Sequence, residues 1–76
     1  MAHAFIMVKA GAGESGSLLE SVRALGPVAE AHVVAGDWDL IVEADAGEVY
    51  DVIHAVASDV QDLAGVTDTK TYVSLE

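Results

Sequence analysis

Hydrophobic positions recur along this chain first at every second residue, then at every third or fourth, and the changes of period mark out its elements. In "AHAFIMVKA" (2–10), Ala4, Ile6 and Val8 fall on one face of a strand and Phe5 and Met7 on the other, so both faces need cover. "GAGESG" interrupts that alternation. "SLLESVRAL" then sets Leu18, Leu19, Val22 and Leu25 on one side of a helix, with Ser17 and Glu20 at capping-box spacing and Gly26-Pro27 as its stop. "VAEAHVVA" and "WDLIVEA" read as a second and a third strand joined by a tight turn at Gly36-Asp37. Asp45 and Glu48 offer another capping box, opening a long helix to about Leu63. Its predicted inward stripe is Val49, Val52, Ile53, Val56, Val60 and Leu63, with Asp51, Asp59 and Asp62 elsewhere on its surface. Gly65 closes that helix, and "VTDTKTYVSL" is the last strand.

The resulting order, β-α-β-β-α-β, predicts an α+β, ferredoxin-like domain over residues 1–76. A four-stranded antiparallel sheet would carry both helices on one face. The other face is then bare in an isolated copy. Phe5 and Met7 would lie on it, or Ile6 and Val8 if the parity is reversed, and an apolar face of that kind is an association surface. A sheet-to-sheet homodimer of the dimeric α+β barrel type is the expected cover.

Composition sharpens this picture. A lone domain of 76 residues buries only about 60% of its unfolded surface, so association would also help its stability. Thirteen acidic residues against three basic ones, Lys9, Arg23 and Lys70, give a net charge of -10. No basic patch remains to neutralise phosphates, and direct nucleic-acid binding is not expected. Carboxylates spread singly over an otherwise apolar chain suit a salt-rich, halophilic cytoplasm. The absence of cysteine removes disulfides, thiolate metal sites and thiol nucleophiles together. No run is long enough to span a membrane, and the N-terminus has no basic region or cleavage site of a secretory signal, so a cytoplasmic location is expected.

The run "LGPVAEAHVVAGDWDLIVEADAGEVYDVI", followed by "LAGVTDTKTYVSL", resembles the ligand-binding domain of the Lrp/AsnC regulators, also called the RAM domain. The likeness rests on a strand, a Gly-acid-aromatic-Asp turn and a strand, then a helix, then the terminal "GVTDTKTYVSL". Trp38 stands where the family more often has tyrosine or phenylalanine, and "LAGV" where a proline before the glycine is common. Family regulators carry a helix-turn-helix domain ahead of this one. Here Met1 leads almost directly into the first strand, so a stand-alone form is the expectation.

The resemblance implies a non-enzymatic module that binds an amino acid or related small metabolite between dimers of a larger ring. It also implies mixed assembly with full-length Lrp/AsnC regulators as a route to transcription. Gly36, Asp37, Trp38 and Asp39 would border the effector, with Thr69 and Thr71 of the last strand as weaker candidates. A carboxylate can accept from an ammonium group, and glycine permits close approach. The plainer reading of the same residues is a turn at Gly36 and Asp37, an interface role for Trp38, and an Asp39 that satisfies nearby backbone N–H groups. Both remain open on the sequence.

Other motifs weigh less. Gly11, Gly13 and Gly16 spell G-x-G-x-x-G, yet the chain is too short for a Rossmann sheet and Glu14 would set a negative charge beside a pyrophosphate; a flexible loop is expected. His3, His32 and His54 are too scattered to form a local metal or acid/base motif, and no Gly-x-Ser-x-Gly elbow supports a nucleophile. No catalytic residue, metal or cofactor is assigned. The rival classes are a small isomerase or monooxygenase built on the same barrel, which a cavity within one dimer lined by His3 or His32 would favour, and an ACT-like regulatory domain.

Overall fold

The computed structural model describes residues 2–51, 53–54 and 58–75. Its elements run β1 (Ala2–Ala10), α1 (Ser15–Arg23), β2 (Val28–Val33), β3 (Leu40–Ala46), α2 (Val49–Asp51), α3 (Ser58–Gln61) and β4 (Val66–Val73). The four strands form one antiparallel sheet in the order β2-β3-β1-β4, so the chain's first strand is central and its last is an edge. This is the expected ferredoxin-like arrangement.

Alternation in β1 settles which face is which. Ala4, Ile6 and Val8 are fully buried, and their cross-strand partners Ala44, Val42 and Leu40 are buried with them. Leu18 and Val22 of α1, Ala31 of β2 and Val60 of α3 complete that core, which places the helices on a single side of the sheet. Phe5 and Met7 therefore point to the helix-free side, as the first of the two parities required.

Four local expectations are corrected. The first helix begins at Ser15 with Glu14 as its cap residue and no side-chain cap bond, so Ser17 and Glu20 do not form a capping box. The Glu14 carbonyl instead accepts from the Leu18 N–H at 3.0 Å. Asp45 does not cap a helix either: it lies within β3, opposite His3. Along the second helical stretch Val60 is buried and Leu63 packs against the core, but Val49 and Ile53 are exposed; Val52 and Val56 lie outside the described residues. The two strands that flank the turn are also trimmed, β2 ending at Val33 and β3 starting at Leu40.

The connection into β4 turns on Gly65, at φ +94, a conformation that favours glycine. A Cβ there would meet the Glu14 side chain at 3.2 Å, while the Gly65 carbonyl accepts from the Gly11 N–H at 2.9 Å. The glycine-rich loop is thus tied to the start of β4, and the acidic Glu14 side chain fills its approach. That is the opposite of a phosphate cradle.

Candidate functional site

The connection between β2 and β3 reaches the end of the sheet, where its backbone is bound on both sides. The Val34 N–H donates to the Asp39 carbonyl at 2.8 Å, and the Asp39 N–H donates to the Val8 carbonyl at 2.9 Å. Asp39 also accepts from the Ala10 N–H through its Oδ2 at 2.8 Å. That N–H sits where the β1–β4 register shifts between Lys9 and Ala10, so the carboxylate supplies an acceptor at an irregularity of the ladder. Trp38 is half-buried, with the Lys9 ammonium 5.8 Å from its ring centroid. Gly36 has φ +154 and no atom within 4 Å of where a Cβ would be, and Asp37 is exposed. The tip of the turn is open while its base is fastened.

The two threonines lie elsewhere. Thr69 pairs with Val8 and Thr71 with Ile6, which assigns both to the helix side of β4. Thr69 accepts from the Gln61 amide at 2.9 Å and borders a groove of about 230 Å³ shared with Gln61, Val66, Thr67 and Asp68. Lys9, beside Trp38, belongs to the other face of β1. One copy therefore does not gather Gly36, Asp37, Trp38, Asp39, Thr69 and Thr71 around a common cavity. A second groove, of about 240 Å³, runs along the β2 edge beside Arg23, Val28, Glu30 and His32, and the turn does not line it.

The helix-free face collects chemistry that the sequence scatters. Cross-strand partners share a face, so His3, Phe5, Met7 and Lys9 of β1 lie with Ile41, Glu43 and Asp45 of β3, Glu30 and His32 of β2, and Asp68, Lys70 and Tyr72 of β4. Phe5 is 39% exposed and Tyr72 51%. His3 Nδ1 is hydrogen-bonded to the Asp45 carboxylate and its Nε2 is 3.2 Å from Glu43 Oε1. With a carboxylate at each ring nitrogen, the doubly protonated imidazolium satisfies both. The hydrogen bond to Asp45 is the main force raising the His3 pKa above the usual histidine value; desolvation opposes it and the bond to Glu43 adds to it. His32 Nε2 lies 3.7 Å from Glu30 Oε1. Two of the three histidines thus converge on one patch through strand register, a juxtaposition that spacing along the chain could not reveal. His54 stacks on Tyr50 in the helical stretch, at 4.4 Å between centroids.

The model of the Lrp/AsnC ligand-binding domain matches residues 3–76. The chain belongs to the Lrp/AsnC ligand-binding domain family. Its fold superposes on FFRP-DM1 with a TM-score of 0.91 at 28% identity, covering 99% of this chain and all of that one. It superposes on the hypothetical protein PHS023 of Pyrococcus horikoshii at 0.90, again with 28% identity, covering 100% and 92% of the two chains. An uncharacterized HTH-type transcriptional regulator of Pyrococcus abyssi is 32% identical over 57 residues, which is 75% of this chain and 38% of that protein. The matched stretch thus spans well under half the length of that regulator. A Neisseria meningitidis transcriptional regulator, crystallised as its L-Met complex, shares the fold at a TM-score of 0.82 and 22% identity, covering 99% of this chain and 50% of that one. Among the described residues no helix is long and apolar enough to cross a membrane.

Proposed function

We propose that this Lrp/AsnC-type domain is a non-enzymatic effector-binding module that works as an oligomer and senses an amino acid or a related small metabolite. The observation that carries the reading is the division of the candidate residues. The open turn at Gly36 and Asp37 stands at the sheet end, outside both grooves of the single copy, so a pocket bordered by it needs a wall from another copy. The methionine complex of the Neisseria regulator supports the ligand class. Asp37 offers an acceptor to an ammonium group and Gly36 leaves room for close approach.

A second copy of this chain is the partner that suits the helix-free face. Acidic groups lie toward β2 and β3 (Glu30, Glu43, Asp45) and the Lys70 ammonium on β4, with Phe5, Met7 and Ile41 between. A two-fold axis running along the strands brings the apolar side chains of the two faces together in the middle. Mixed assembly with longer Lrp/AsnC regulators would use the same face and would bring the effector signal to transcription. With a net charge of -10, the domain itself makes no contact with DNA in this reading.

A thermal-shift screen of the twenty amino acids, run with light scattering, tests the proposal. Selective stabilisation by one chemical class, together with a change in particle mass, supports it, because a ligand bound only to the folded state raises stability by mass action. Uniform indifference to all twenty, from a monodisperse monomer, would refute it.

A further inference from the structure

The helix-free face carries a second constellation unrelated to the turn. Glu30 and His32 are two residues apart on β2 and so point the same way, and Glu43 of β3 is the register partner of Glu30. The ligand atoms of Glu30, His32 and Glu43 all lie within 4.8 Å of one another. Two carboxylates directly opposite each other across a strand pair repel, and among the described residues only histidines, no lysine or arginine, are paired with them. Arg23 donates to the Ala31 carbonyl, Lys9 lies over Trp38 and Lys70 over Tyr72. Among the described residues, every ion pair takes a histidine as its cation. Glu43 is further held from the β1 side by His3, whose other nitrogen is bound to Asp45. That chain of hydrogen bonds is the kind of outer support that orients a ligating carboxylate.

We propose that Glu30, His32 and Glu43 bind a first-row divalent transition cation of the Zn2+ class. One imidazole nitrogen and two carboxylate oxygens form a mixed donor set that favours such ions over Mg2+ or Ca2+, which prefer all-oxygen shells. Metal–ligand bonds of about 2.0–2.2 Å put donors around one ion roughly 3–4 Å apart. The His32–Glu30 distance of 3.7 Å already meets that spacing. The remaining closure falls to the exposed side chain of Glu30, whose torsions are free to turn inward. The site stands apart from the Gly36–Asp39 turn and does not depend on an amino-acid effector.

Equilibrium dialysis of the intact chain against Zn2+ at neutral pH, with Mg2+ as the parallel arm, tests this. The expected result is a saturable phase of one Zn2+ per chain that equimolar Mg2+ does not displace. His32→Ala and Glu43→Gln should each weaken that phase at least tenfold, whereas His54→Ala should leave it unchanged. Circular dichroism of the variants keeps loss of binding separate from loss of fold, and all the substituted side chains are at least partly solvent-exposed. Substitution with Co2+ adds a visible absorption band that the His32 variant should lose. Equal displacement by Mg2+, or Zn2+ binding indifferent to His32→Ala, would mean diffuse attraction to an acidic surface and would overturn the proposal.

Discussion

The two faces of the sheet are made from the same strands, yet they solve burial in different ways. On the helix side, Ile6, Val8, Leu40, Val42 and Ala44 are buried with Leu18 and Val22 of α1 and Val60 of α3, Ala4 is buried with Ala2 beside Ala46 and Val73, and among the described residues no buried side-chain polar atom lacks a partner. On the other side, Phe5 and Tyr72 stay exposed among histidines, lysines and carboxylates. One face is completed by the chain itself. The other mixes apolar area with opposed charges, the composition of an interface between proteins rather than of a core. The lesson is that the pleat separates stability from association, and substitutions one residue apart in β1 should report on different properties.

The largest effect is expected inside. Ile6→Ala removes a fully buried side chain from the central strand and should cost about 2–5 kcal/mol in chemical denaturation, a large share of the stability of so small a domain. A variant as stable as wild type would show that the helix-side core is not where folding energy resides.

Asp39→Ala should come next, by about 1–3 kcal/mol, because it orphans the Ala10 N–H at the irregularity of β1. Asp39→Asn keeps an acceptor oxygen and should recover most of that loss in the same urea titration. This structural duty of Asp39 separates it from Asp37, which is exposed at the tip. Any effector response that survives in Asp39→Asn but fails in Asp37→Ala would assign the contact to the tip of the turn.

Trp38→Ala should change stability less than it changes assembly. The ring is half-buried at the sheet end, so its removal should lower the order of assembly in light scattering while the far-ultraviolet dichroism stays unchanged. Complete unfolding instead would make Trp38 an anchor of its own hairpin.

The smallest effect concerns His3. Its folded-state pKa is raised by Asp45 and Glu43, so the stabilisation it brings is fully present below the unfolded histidine value and is lost as pH rises through the folded one. In metal-free protein, an NMR titration should find His3 titrating above the usual histidine value, and Asp45→Asn should bring it down. An unshifted His3 would remove the imidazolium from the face.

Much of this was legible in the order of residues. The strict alternation of β1 carried its boundaries unaltered, and the β-α-β-β-α-β order followed from changes of period. The strand ends beside the β2–β3 turn read less well. Trp38 and Asp39 look like strand residues, but the Asp39 carboxylate is drawn across to Ala10 and the strand begins at Leu40. Asp45 mimicked a helix cap because the capping pattern does not know that His3 waits opposite, 42 residues away. Glu30, His32 and Glu43 carry no joint signal along the chain, because only the β2–β3 register makes them neighbours. Local propensity reaches along the chain. Sites made across strands need the pairing first.

The most direct measurement of the claim that the second face is closed by another copy is sedimentation velocity across micromolar concentrations, on wild type and on Phe5→Glu. The account predicts a wild-type dimer or a multiple of it, and a Phe5→Glu protein that sediments as a smaller species with its secondary structure kept. A wild-type chain that remains a folded, stable monomer throughout that range would contradict it.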